Sequence, residues 1–352
     1  MNIFSIDKNI PLLHEILKQN DNNIIHTFNS GIITNQNLID TKTKFLIARS
    51  TLNINEKLLK NTNVKFIATA TTGTDHIDIN YLNKNNIPFL AAVGANSNSV
   101  AEYIIFSILF AFKDNFDNLL TKTIGIVGYG NIGSKVAYYL NKMNIKHIIC
   151  DPFINNNDFY TIDSLIEMSD IITLHIPLTQ NTSHPTFNII NKNRIEKIKN
   201  NSILINTSRG GICDENEMIN HIGRIKYIID TWHNEPNITN KQLIDVALIS
   251  TPHIAGHSYN GKLNATLMIC KKLNELYDMN LNYNLNIPET QTDIDFSDFK
   301  NMFKILSTSR NIIDTSNEMK KHCNVSNFAN YFINARQNYP QYIETLNSIY
   351  SV

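Results

Sequence analysis

The stretch Thr123–Ile–Gly–Ile–Val–Gly–Tyr–Gly–Asn–Ile–Gly133 decides the fold of this chain. It begins as an apolar run typical of a buried strand and continues into the spacing Gly-x-Gly-x-x-Gly, after which apolar residues recur with a helical period. This order predicts a dinucleotide-binding unit. Gly128 would permit the tight turn, Gly130 would let a pyrophosphate approach the backbone, and Gly133 would let the helix pack on the strand. The unpaired N–H groups at the start of the helix would then face the phosphates.

An acidic residue, Asp151, ends the next apolar run, Lys146–Cys150. A carboxylate about 20 residues past the last glycine is placed to hold the ribose hydroxyls of adenosine. Pro152 follows directly, so a role as a helix or turn cap is an alternative, and the two roles are compatible. Because a carboxylate repels a 2′-phosphate and no arginine comes immediately after it, we expect NAD rather than NADP.

Composition and charge narrow the class of protein. The 352 residues are enough for two or three domains, and 31 basic residues balance 31 acidic ones, which gives no electrostatic reason to expect nucleic acid or anionic membrane as a partner. The four cysteines lie far apart, without the spacing of a metal or redox site. A predicted strand at the N-terminus leaves no room for a signal peptide, and the longest apolar segment, Val100–Phe112, is too short to span a bilayer. We therefore expect a cytoplasmic protein.

Strand-like and helix-like stretches alternate twice along the chain, which is typical of parallel α/β units. The first series predicts strands at residues 2–6, 45–49, 64–70 and 87–92; the second predicts them near 123–128, 146–150, 171–176, 202–206, 226–230 and 246–250. Between the series, Ser99 and Glu102 have the spacing of a capping box before a helix that is apolar on nearly every side. An amphipathic helix over 261–279 could return to the first unit.

Arg209 stands beside two glycines directly after the predicted strand at 202–206. Ligands of open parallel sheets bind at the carboxyl ends of the strands, and a guanidinium there offers a planar fork to a carboxylate. A surface arginine in a turn is the alternative interpretation.

Glu235 and His253 follow the next two strand ends and have the chemistry of an acid–base pair. A carboxylate on one imidazole nitrogen fixes the tautomer and stabilises the cation, so the other nitrogen can accept a hydroxyl proton. The chain has 11 histidines, most of which must be ordinary, but only His253 has this position relative to Arg209 and Glu235. His175, in a strand beside the predicted cofactor cleft, is interpreted as mainly structural.

These motifs in this order resemble the D-isomer-specific 2-hydroxyacid dehydrogenases. The resemblance covers about residues 1–285 and rests on the glycine motif, Arg209–Gly211, Glu235–Pro236 and Pro252–Gly256, with Val100–Glu102 and Gly73–Asp78 as further matches. It implies an NAD-linked oxidation of a 2-hydroxy acid. Arg209 would grip the substrate carboxylate, His253 would be the general acid/base, and Glu235 would orient it.

The resemblance also implies binding roles. In it Asp230 would hold the nicotinamide carboxamide and Asp151 the ribose. The full set of cofactor-binding positions is Gly128, Gly130, Asn131, Ile132, Gly133, Asp151, Ile176, Thr207, Ser208, Asp230 and Gly256. The substrate-binding positions are Ser50, Thr71 and His257, with Arg49 and Lys262 as cations for a phosphate. Two positions depart from the family: His257 stands where a tyrosine is usual, and Ile176 where a threonine is common.

Further details favour the branch of the family that acts on a phosphorylated 2-hydroxy acid. They are Ala48–Ser50, Thr69–His76, the pair Gly261–Lys262, and a tail pattern over Phe328–Pro340 that is similar to a C-terminal dimerisation domain. From that tail, Arg336 of a partner subunit is a weaker candidate for the phosphate. Dehydrogenation of another acid, such as 3-phosphoglycerate or D-lactate, and a non-catalytic NAD-sensing protein on the same fold are the alternatives.

The expected fold class is therefore α/β with three parts. A Rossmann-type NAD-binding domain would span 96–255, and a discontinuous flavodoxin-like substrate domain would span 1–95 and 256–285. A small α+β dimerisation domain would span 286–352, making the protein a homodimer. We expect no bound metal.

Overall fold

The computed structural model of the chain describes residues 1–29, 31–284 and 294–346. Contacts between residues divide it into two compact units. The first consists of Met1–Asn96 and residues 258–284; the second consists of Ser97–His257 and residues 294–346.

Helices and strands alternate along most of the chain. Up to residue 111 the elements are β1 (Asn2–Asp7), α1 (Leu13–Leu17), β2 (Asn23–Phe28), α2 (Asn35–Asp40), β3 (Phe45–Ala48), α3 (Glu56–Leu59), β4 (Phe66–Thr69), α4 (Ile79–Lys84), β5 (Phe89–Ala91) and α5 (Ser97–Ala111). A 3-10 helix (Phe116–Thr121) precedes β6 (Ile124–Val127), α6 (Asn131–Lys142), β7 (His147–Cys150), α7 (Ile162–Met168), β8 (Ile171–Leu174), α8 (Lys192–Lys197), β9 (Ile203–Asn206), α9 (Glu215–Asn220), β10 (Lys226–Ile229), α10 (Lys241–Val246) and β11 (Ile249–Ser250). The remaining described elements are α11 (Tyr259–Tyr277), α12 (Phe299–Ser309), α13 (Ile312–His322) and α14 (Phe328–Gln337).

The first unit contains a five-stranded parallel sheet in the order β2-β1-β3-β4-β5, the order of flavodoxin-like folds. Four of its strands match the predicted runs, whereas β2 was not predicted. β2 lies at the edge of the sheet, so most of its side chains are exposed or only partly buried and the apolar run is interrupted by His26 and Thr27. Helix α11 packs Ile269 and Leu273 into the core of this unit, beside Phe45.

The second unit contains a six-stranded parallel sheet in the order β11-β10-β9-β8-β6-β7. All six strands were predicted. Strand order reverses beside β6, whose neighbours are β7 on one side and β8 on the other, and ligands of doubly wound sheets bind at such a reversal. The predicted fold class, a Rossmann-type domain with a flavodoxin-like one, is confirmed for these two sheets.

Helix α5 is buried along nearly its whole length, as predicted, but the predicted capping box is wrong. The helix starts at Ser97, and the Ser99 hydroxyl donates a hydrogen bond to the carbonyl of Ala255 at 2.8 Å. Glu102 instead accepts the backbone N–H groups of Thr345 and Leu346. Both partners lie far away in sequence, so local spacing could not reveal them.

Within the described ranges no helix combines the length and apolar character that a bilayer crossing requires.

Residues 294–346 contribute helices α12, α13 and α14 to the second unit. Phe299, Met302 and Leu306 of α12 join the core formed by α5 and the sheet. At the end of the sheet, the backbone N–H of Ser250 in β11 donates to the hydroxyl of Ser316 in α13 at 2.9 Å. An edge strand has backbone N–H and C=O groups without a partner in the sheet. The Ser316 hydroxyl of α13 provides a hydrogen-bond acceptor for one of these groups in β11. The role of this segment in dimerisation stays a prediction.

Candidate active site

Five strands of the second sheet end in register. Cα partners pair Val127 with Leu174, Leu174 with Asn206, and Ile229 with both Asn206 and Ser250. Because the strands are parallel, the loops that follow these residues begin side by side at the carboxyl edge of the sheet. The glycine motif and all three predicted catalytic residues lie in these loops.

The glycines of the motif meet three different constraints. Gly128 has φ +92°, and a Cβ there would lie 2.5 Å from the His175 carbonyl oxygen. A Cβ on Gly133 would lie 1.9 Å from the Gly128 oxygen, so only glycine lets α6 approach the strand this closely. By contrast, a Cβ on Gly130 would meet no heavy atom within 4 Å. The space above Gly130 is therefore the part of the loop that remains open to a ligand.

Asp151 completes this loop from the end of β7. One carboxylate oxygen accepts the backbone N–H of Tyr129 at 2.8 Å, and the other accepts that of Phe153 at 3.0 Å. The first contact fixes the glycine turn, and the second caps the turn that Asp151 itself begins. The capping alternative is thus present in the structure, while a contact with ribose stays a prediction. Asn131 and Ile132 form the first turn of α6.

Two polar atoms in the neighbouring strand-end loops point to a ligand. The Thr207 hydroxyl and Nδ1 of His175 are buried and have no hydrogen-bond partner among the described residues. Burial lowers the pKa of His175 to about 3, so its imidazole is neutral. Buried polar atoms are nearly always paired, and a dinucleotide supplies hydroxyl, amide and phosphate groups for this purpose. Together with the space above Gly130, these atoms fit a bound NAD.

The opening above Gly130 gives a specific prediction. Gly130→Val is expected to lower NADH affinity by at least about tenfold, since a branched side chain would occupy the space that a pyrophosphate needs beside the backbone. The fold should survive, because φ at Gly130 is −82° and nothing lies within reach of a Cβ. NADH titration by fluorescence and thermal melting would check both parts. Gly133→Ala is the matched comparison, expected to lower the melting temperature sharply; unchanged NADH affinity in Gly130→Val would contradict this placement.

Asp230 follows β10 and is fully buried. Its carboxylate accepts the Thr251 hydroxyl at 2.6 Å and the backbone N–H groups of Ile254 at 2.8 Å and Ala255 at 2.9 Å. Burial raises the pKa of Asp230, and these bonds together with the charge of His253 oppose the rise. Asp230 therefore holds the segment from Thr251 to Ala255 in place. Its contact with a nicotinamide stays a prediction, as does the place of Gly256 near the cofactor.

His253 and Glu235 are in direct contact. Nδ1 of the imidazole lies 2.8 Å from one Glu235 oxygen, and the other oxygen accepts the backbone N–H of Trp232 at 2.7 Å. Burial opposes ionisation of Glu235, but His253, the Trp232 N–H and the charge of Arg336 outweigh it and hold the pKa of Glu235 below its ordinary value. An ionised Glu235 fixes the proton on Nδ1, which leaves Nε2 as the nitrogen that can take up a substrate proton.

The backbone at His253 is unusual. Its φ is +57°, a left-handed conformation that is uncommon for a residue with a side chain. The His253 N–H donates to the Asp230 carbonyl at 2.9 Å, and the next two N–H groups bind the Asp230 carboxylate. These three bonds stabilise a conformation that costs about 1–3 kcal/mol.

Arg209 lies in the loop after β9. One guanidinium nitrogen donates to the Ser208 carbonyl at 2.8 Å, and the Asn206 side chain holds both ends of the turn, donating to the Arg209 carbonyl at 2.9 Å and accepting from the Ser208 N–H at 3.1 Å. A Cβ on the next residue, Gly210, would lie 1.9 Å from the Trp232 carbonyl oxygen. Only glycine allows this packing of the arginine loop against the loop that carries Glu235.

Comparison with known proteins adds to this geometry. Residues 112–255 match the model of the D-isomer-specific 2-hydroxyacid dehydrogenase NAD-binding domain. An erythronate-4-phosphate dehydrogenase from Wigglesworthia glossinidia brevipalpis is 40% identical over 343 residues, which cover 91% of this chain and 89% of that protein. Another from Ruthia magnifica is 37% identical, covering 84% of each chain. This chain belongs to the erythronate-4-phosphate dehydrogenase family.

Solved structures agree with this family at the level of the fold. A 3-phosphoglycerate dehydrogenase from Entamoeba histolytica, crystallised with NAD+, matches with a TM-score of 0.65 and 24% identity over 82% of this chain and 99% of that one. A D-lactate dehydrogenase from Aquifex aeolicus, in complex with NAD and lactic acid, matches with a TM-score of 0.63 and 23% identity over 81% and 100%.

Most of the predicted substrate-binding residues lie in the first unit. Arg49 and the exposed Ser50 follow β3, and Lys262 lies in the first turn of α11. The pKa of Lys262 is lowered by burial and also by the charge of Arg49, so these two cations lie within range of mutual repulsion. Thr71 lies after β4, where its hydroxyl contacts that of Thr69 at 2.7 Å.

The remaining predicted positions lie in the second unit. The His257 ring, where the family usually has tyrosine, is 6.3 Å from the ring of Tyr339. Ile176 follows β8, and its methyl group is among the atoms that a Cβ on Gly128 would meet. Ser208, beside Thr207, donates its hydroxyl to the Leu174 carbonyl.

Three residues close to the catalytic loops were not assigned from the sequence as parts of them. Trp232 donates its indole N–H to the Thr251 carbonyl at 2.9 Å, and the charge of Arg336 in the same chain lowers the pKa of Glu235. The role of Arg336 toward the phosphate bound by a partner subunit stays a prediction. Arg310 donates to the Ala255 carbonyl at 3.0 Å. The single tryptophan beside Glu235 was a usable signal; nothing in the sequence around Arg310 indicates its contact.

Proposed function

We propose that this protein oxidises the C2 hydroxyl of 4-phospho-D-erythronate to (R)-3-hydroxy-2-oxo-4-phosphobutanoate, with NAD as cofactor, in pyridoxal 5′-phosphate biosynthesis. The observation that carries the proposal is the 2.8 Å contact between His253 and Glu235 in a chain that is 40% identical to an erythronate-4-phosphate dehydrogenase over nearly its whole length. An acid–base pair of this kind suits removal of a hydroxyl proton.

The residues of the second unit have separate tasks in this reaction. Arg209 binds the substrate carboxylate through its guanidinium fork and polarises the C2 oxygen. His253 accepts the hydroxyl proton at Nε2, and Glu235 stabilises the imidazolium that forms. When bound, NAD+ accepts the hydride that leaves C2. The proton and the hydride together account for the two hydrogen atoms that the alcohol loses.

The glycine loop would hold the cofactor. Gly130 leaves space for the pyrophosphate, the first turn of α6 offers N–H groups to it, and Asp151 is placed for the ribose. Thr207 and His175 offer the buried polar atoms described above. The fit supports NAD, and the carboxylate of Asp151 at this place disfavours a 2′-phosphate.

Positive charge for the substrate phosphate would come from Arg49 and Lys262. Two neighbouring cations repel each other, as the lowered pKa of Lys262 reflects after the larger effect of burial. A bound phosphate dianion would offset both this repulsion and the loss of hydration.

Replacing Arg49 or Lys262 should therefore weaken binding of the substrate phosphate without affecting the rest of the substrate. Arg49→Ala and Lys262→Ala are each expected to raise KM for 4-phospho-D-erythronate by about 10- to 100-fold, since a hydrogen bond to a charged group contributes about 1.5–3 kcal/mol. With unphosphorylated D-erythronate the same variants should behave like the wild type. Lys60→Ala, at an exposed lysine of the first unit, is the control. An unchanged KM in Arg49→Ala would remove Arg49 from this role.

The direct test of the proposed function is NADH formation by the purified protein. Equal concentrations of 4-phospho-D-erythronate, 3-phosphoglycerate and D-lactate would be compared, with a 2-oxo acid and NADH in reverse to detect tightly held cofactor. A clear preference for 4-phospho-D-erythronate is expected. Preference for another acid would keep the chemistry and reject the substrate; no turnover in either direction would favour an NAD-sensing protein.

We also infer that the protein is a homodimer and that it acts in the cytoplasm. Its ligand besides NAD would be this small phosphorylated acid, and neither nucleic acid nor a membrane would be a partner. The pattern over residues 328–340 supports dimerisation by resemblance, and Ile333 within it and Val325 just before it are large apolar side chains that remain exposed. Light scattering coupled to gel filtration would measure the mass in solution; a monomer at assay concentration would overturn the dimer.

A further inference from the structure

A buried arginine binds a backbone carbonyl of the loop that carries His253 (residues 251–256, the catalytic loop). Arg310 directly follows helix α12 as its C-cap residue and is 3% exposed. One of its terminal nitrogens donates to the Ser99 carbonyl at 2.7 Å, and the other donates to the Ala255 carbonyl at 3.0 Å. Its guanidinium stacks on the ring of Tyr342, with 4.2 Å from Cζ to the ring centre. A single side chain from residues 294–346 thus joins helix α5 to the loop that carries His253.

Both backbone polar groups of Ala255 are hydrogen-bonded. Its N–H donates to the Asp230 carboxylate at 2.9 Å, and its carbonyl accepts both Arg310 and the Ser99 hydroxyl, the latter at 2.8 Å. The Ser99 hydroxyl in turn lies 2.5 Å from that of Tyr342. Ala255 is two residues from His253, whose φ is +57°. A strained backbone persists only where its surroundings hold it, and these contacts are such a hold.

The burial of Arg310 is costly, which argues that it does more than fill space. A guanidinium stays charged at all relevant pH values, and removing it from water is expensive. Both terminal nitrogens of Arg310 donate to carbonyls, whereas its buried Nε has no hydrogen-bond partner among the described residues. Hydrophobic residues of similar volume often stabilise a protein as well as a buried charge does. What an apolar residue could not do is donate to two backbone carbonyls in separate segments at once.

We propose that Arg310 is a positioning residue for His253: it sets the catalytic loop from the carbonyl side while Asp230 sets it from the N–H side. Arg310 touches neither the Arg209 loop nor the glycine motif through any hydrogen bond described above. Its replacement should therefore reduce the efficiency of proton transfer more than it reduces binding of substrate or cofactor. The inference rests on the proposed function, since it assigns Arg310 a part in that reaction.

The test compares Arg310→Met and Arg310→Lys with a matched arginine. Arg224 also donates to two backbone carbonyls, those of Ile195 and Ile198, but these lie in α8 and directly after it rather than in a catalytic loop. In Arg310→Met, kcat should fall by up to about 100-fold, the cost that a misplacement of about 1 Å can carry. KM and NADH affinity should stay near their wild-type values. Arg310→Lys should recover part of kcat, and Arg224→Met should lower the melting temperature without changing kcat per folded molecule.

Two further readouts separate positioning from general stability. In oxidation, the acid limb of the kcat profile should move to lower pH in Arg310→Met, because a loosened Glu235 contact stabilises the imidazolium less. Emission of Trp232, the single tryptophan, should also change, since its indole binds Thr251 in the same loop. Arg224→Met should change neither property.

The wild type, assayed beside the variants, keeps the two proposals apart. If it oxidises a 2-hydroxy acid other than 4-phospho-D-erythronate, the proposed substrate fails and the Arg310 comparison is made with that acid. If it turns over nothing, Trp232 emission still decides. Arg310→Lys serves if the methionine variant does not fold. Wild-type kcat, pH profile and Trp232 emission in a folded Arg310 variant would overturn the positioning role.

Discussion

Replacing His253 should nearly abolish turnover while leaving NADH binding intact. Positioned acid–base groups contribute about 10²–10⁴-fold to rate, so a loss in this range is expected for His253→Ala in both directions of the reaction. The NADH dissociation constant should stay close to the wild-type value, because His253 is not among the positions predicted to hold the cofactor. Steady-state kinetics and NADH fluorescence titration would measure the two effects separately.

The left-handed backbone at His253 calls for a second variant. Alanine tolerates a φ of +57° poorly, whereas asparagine is enriched in this conformation. His253→Asn removes the base as His253→Ala does, but with less disturbance of the loop. Loss of turnover with NADH binding retained in His253→Asn is the expected result. Loss of both in the two variants would mean that the acid/base is elsewhere, and turnover near the wild-type rate in either would exclude His253 from proton transfer.

The strands that carry the site could be predicted because of where they lie. Strands inside a parallel sheet are buried on both faces, so they appear in sequence as unbroken apolar runs such as Ile203–Ile205. The glycine motif added a further constraint, since Gly128 and Gly133 each occupy a place where a Cβ would collide with backbone. Arg209, Glu235 and His253 followed from these runs, because parallel strands bring the residues after them to one edge.

What could not be predicted depends on contacts between distant parts of the chain. Strand β2 is an edge strand with a mixed pattern, so it resembles a loop. Ser99 and Glu102 have the spacing of a local cap, yet their partners are Ala255 in one case and the backbone of Thr345 and Leu346 in the other. Arg310 belongs to no motif at all. Its place beside the catalytic loop follows only from how α12 packs.

The pKa of Glu102 also could not be predicted from the sequence, because it depends on contacts between distant parts of the chain. Burial raises the pKa of Glu102 to about 8, with a further rise from Glu344 and an opposing effect from Arg310. Burial therefore disfavours the charged form of this carboxyl, although a glutamate in a sequence is counted as a charge. The formal balance of 31 basic and 31 acidic residues does not record such cases. Only the packing of the 339–346 segment against α5 shows them.

Replacing Arg209 should weaken binding of the substrate carboxylate about as strongly as replacing His253 slows proton transfer. Two hydrogen bonds to a charged group, at about 1.5–3 kcal/mol each, are lost in Arg209→Met. With about 1.4 kcal/mol per factor of ten, kcat/KM should fall by about 10²–10⁴-fold. Arg209→Lys should recover only a part, because an ammonium is a point charge and cannot present the planar fork that a carboxylate matches.

Inhibitor binding would distinguish this role from that of His253. A 2-oxo acid analogue such as oxamate carries the carboxylate but does not react, so its affinity for the NADH complex reports on binding separately from proton transfer. Affinity should fall sharply in Arg209→Met and stay near the wild-type value in His253→Asn. The turn that places the guanidinium should persist in both arginine variants, because the Asn206 side chain and the close packing of Gly210 on Trp232 do not involve the Arg209 side chain. Retained oxamate affinity in a folded Arg209→Met would therefore mean that another group binds the carboxylate.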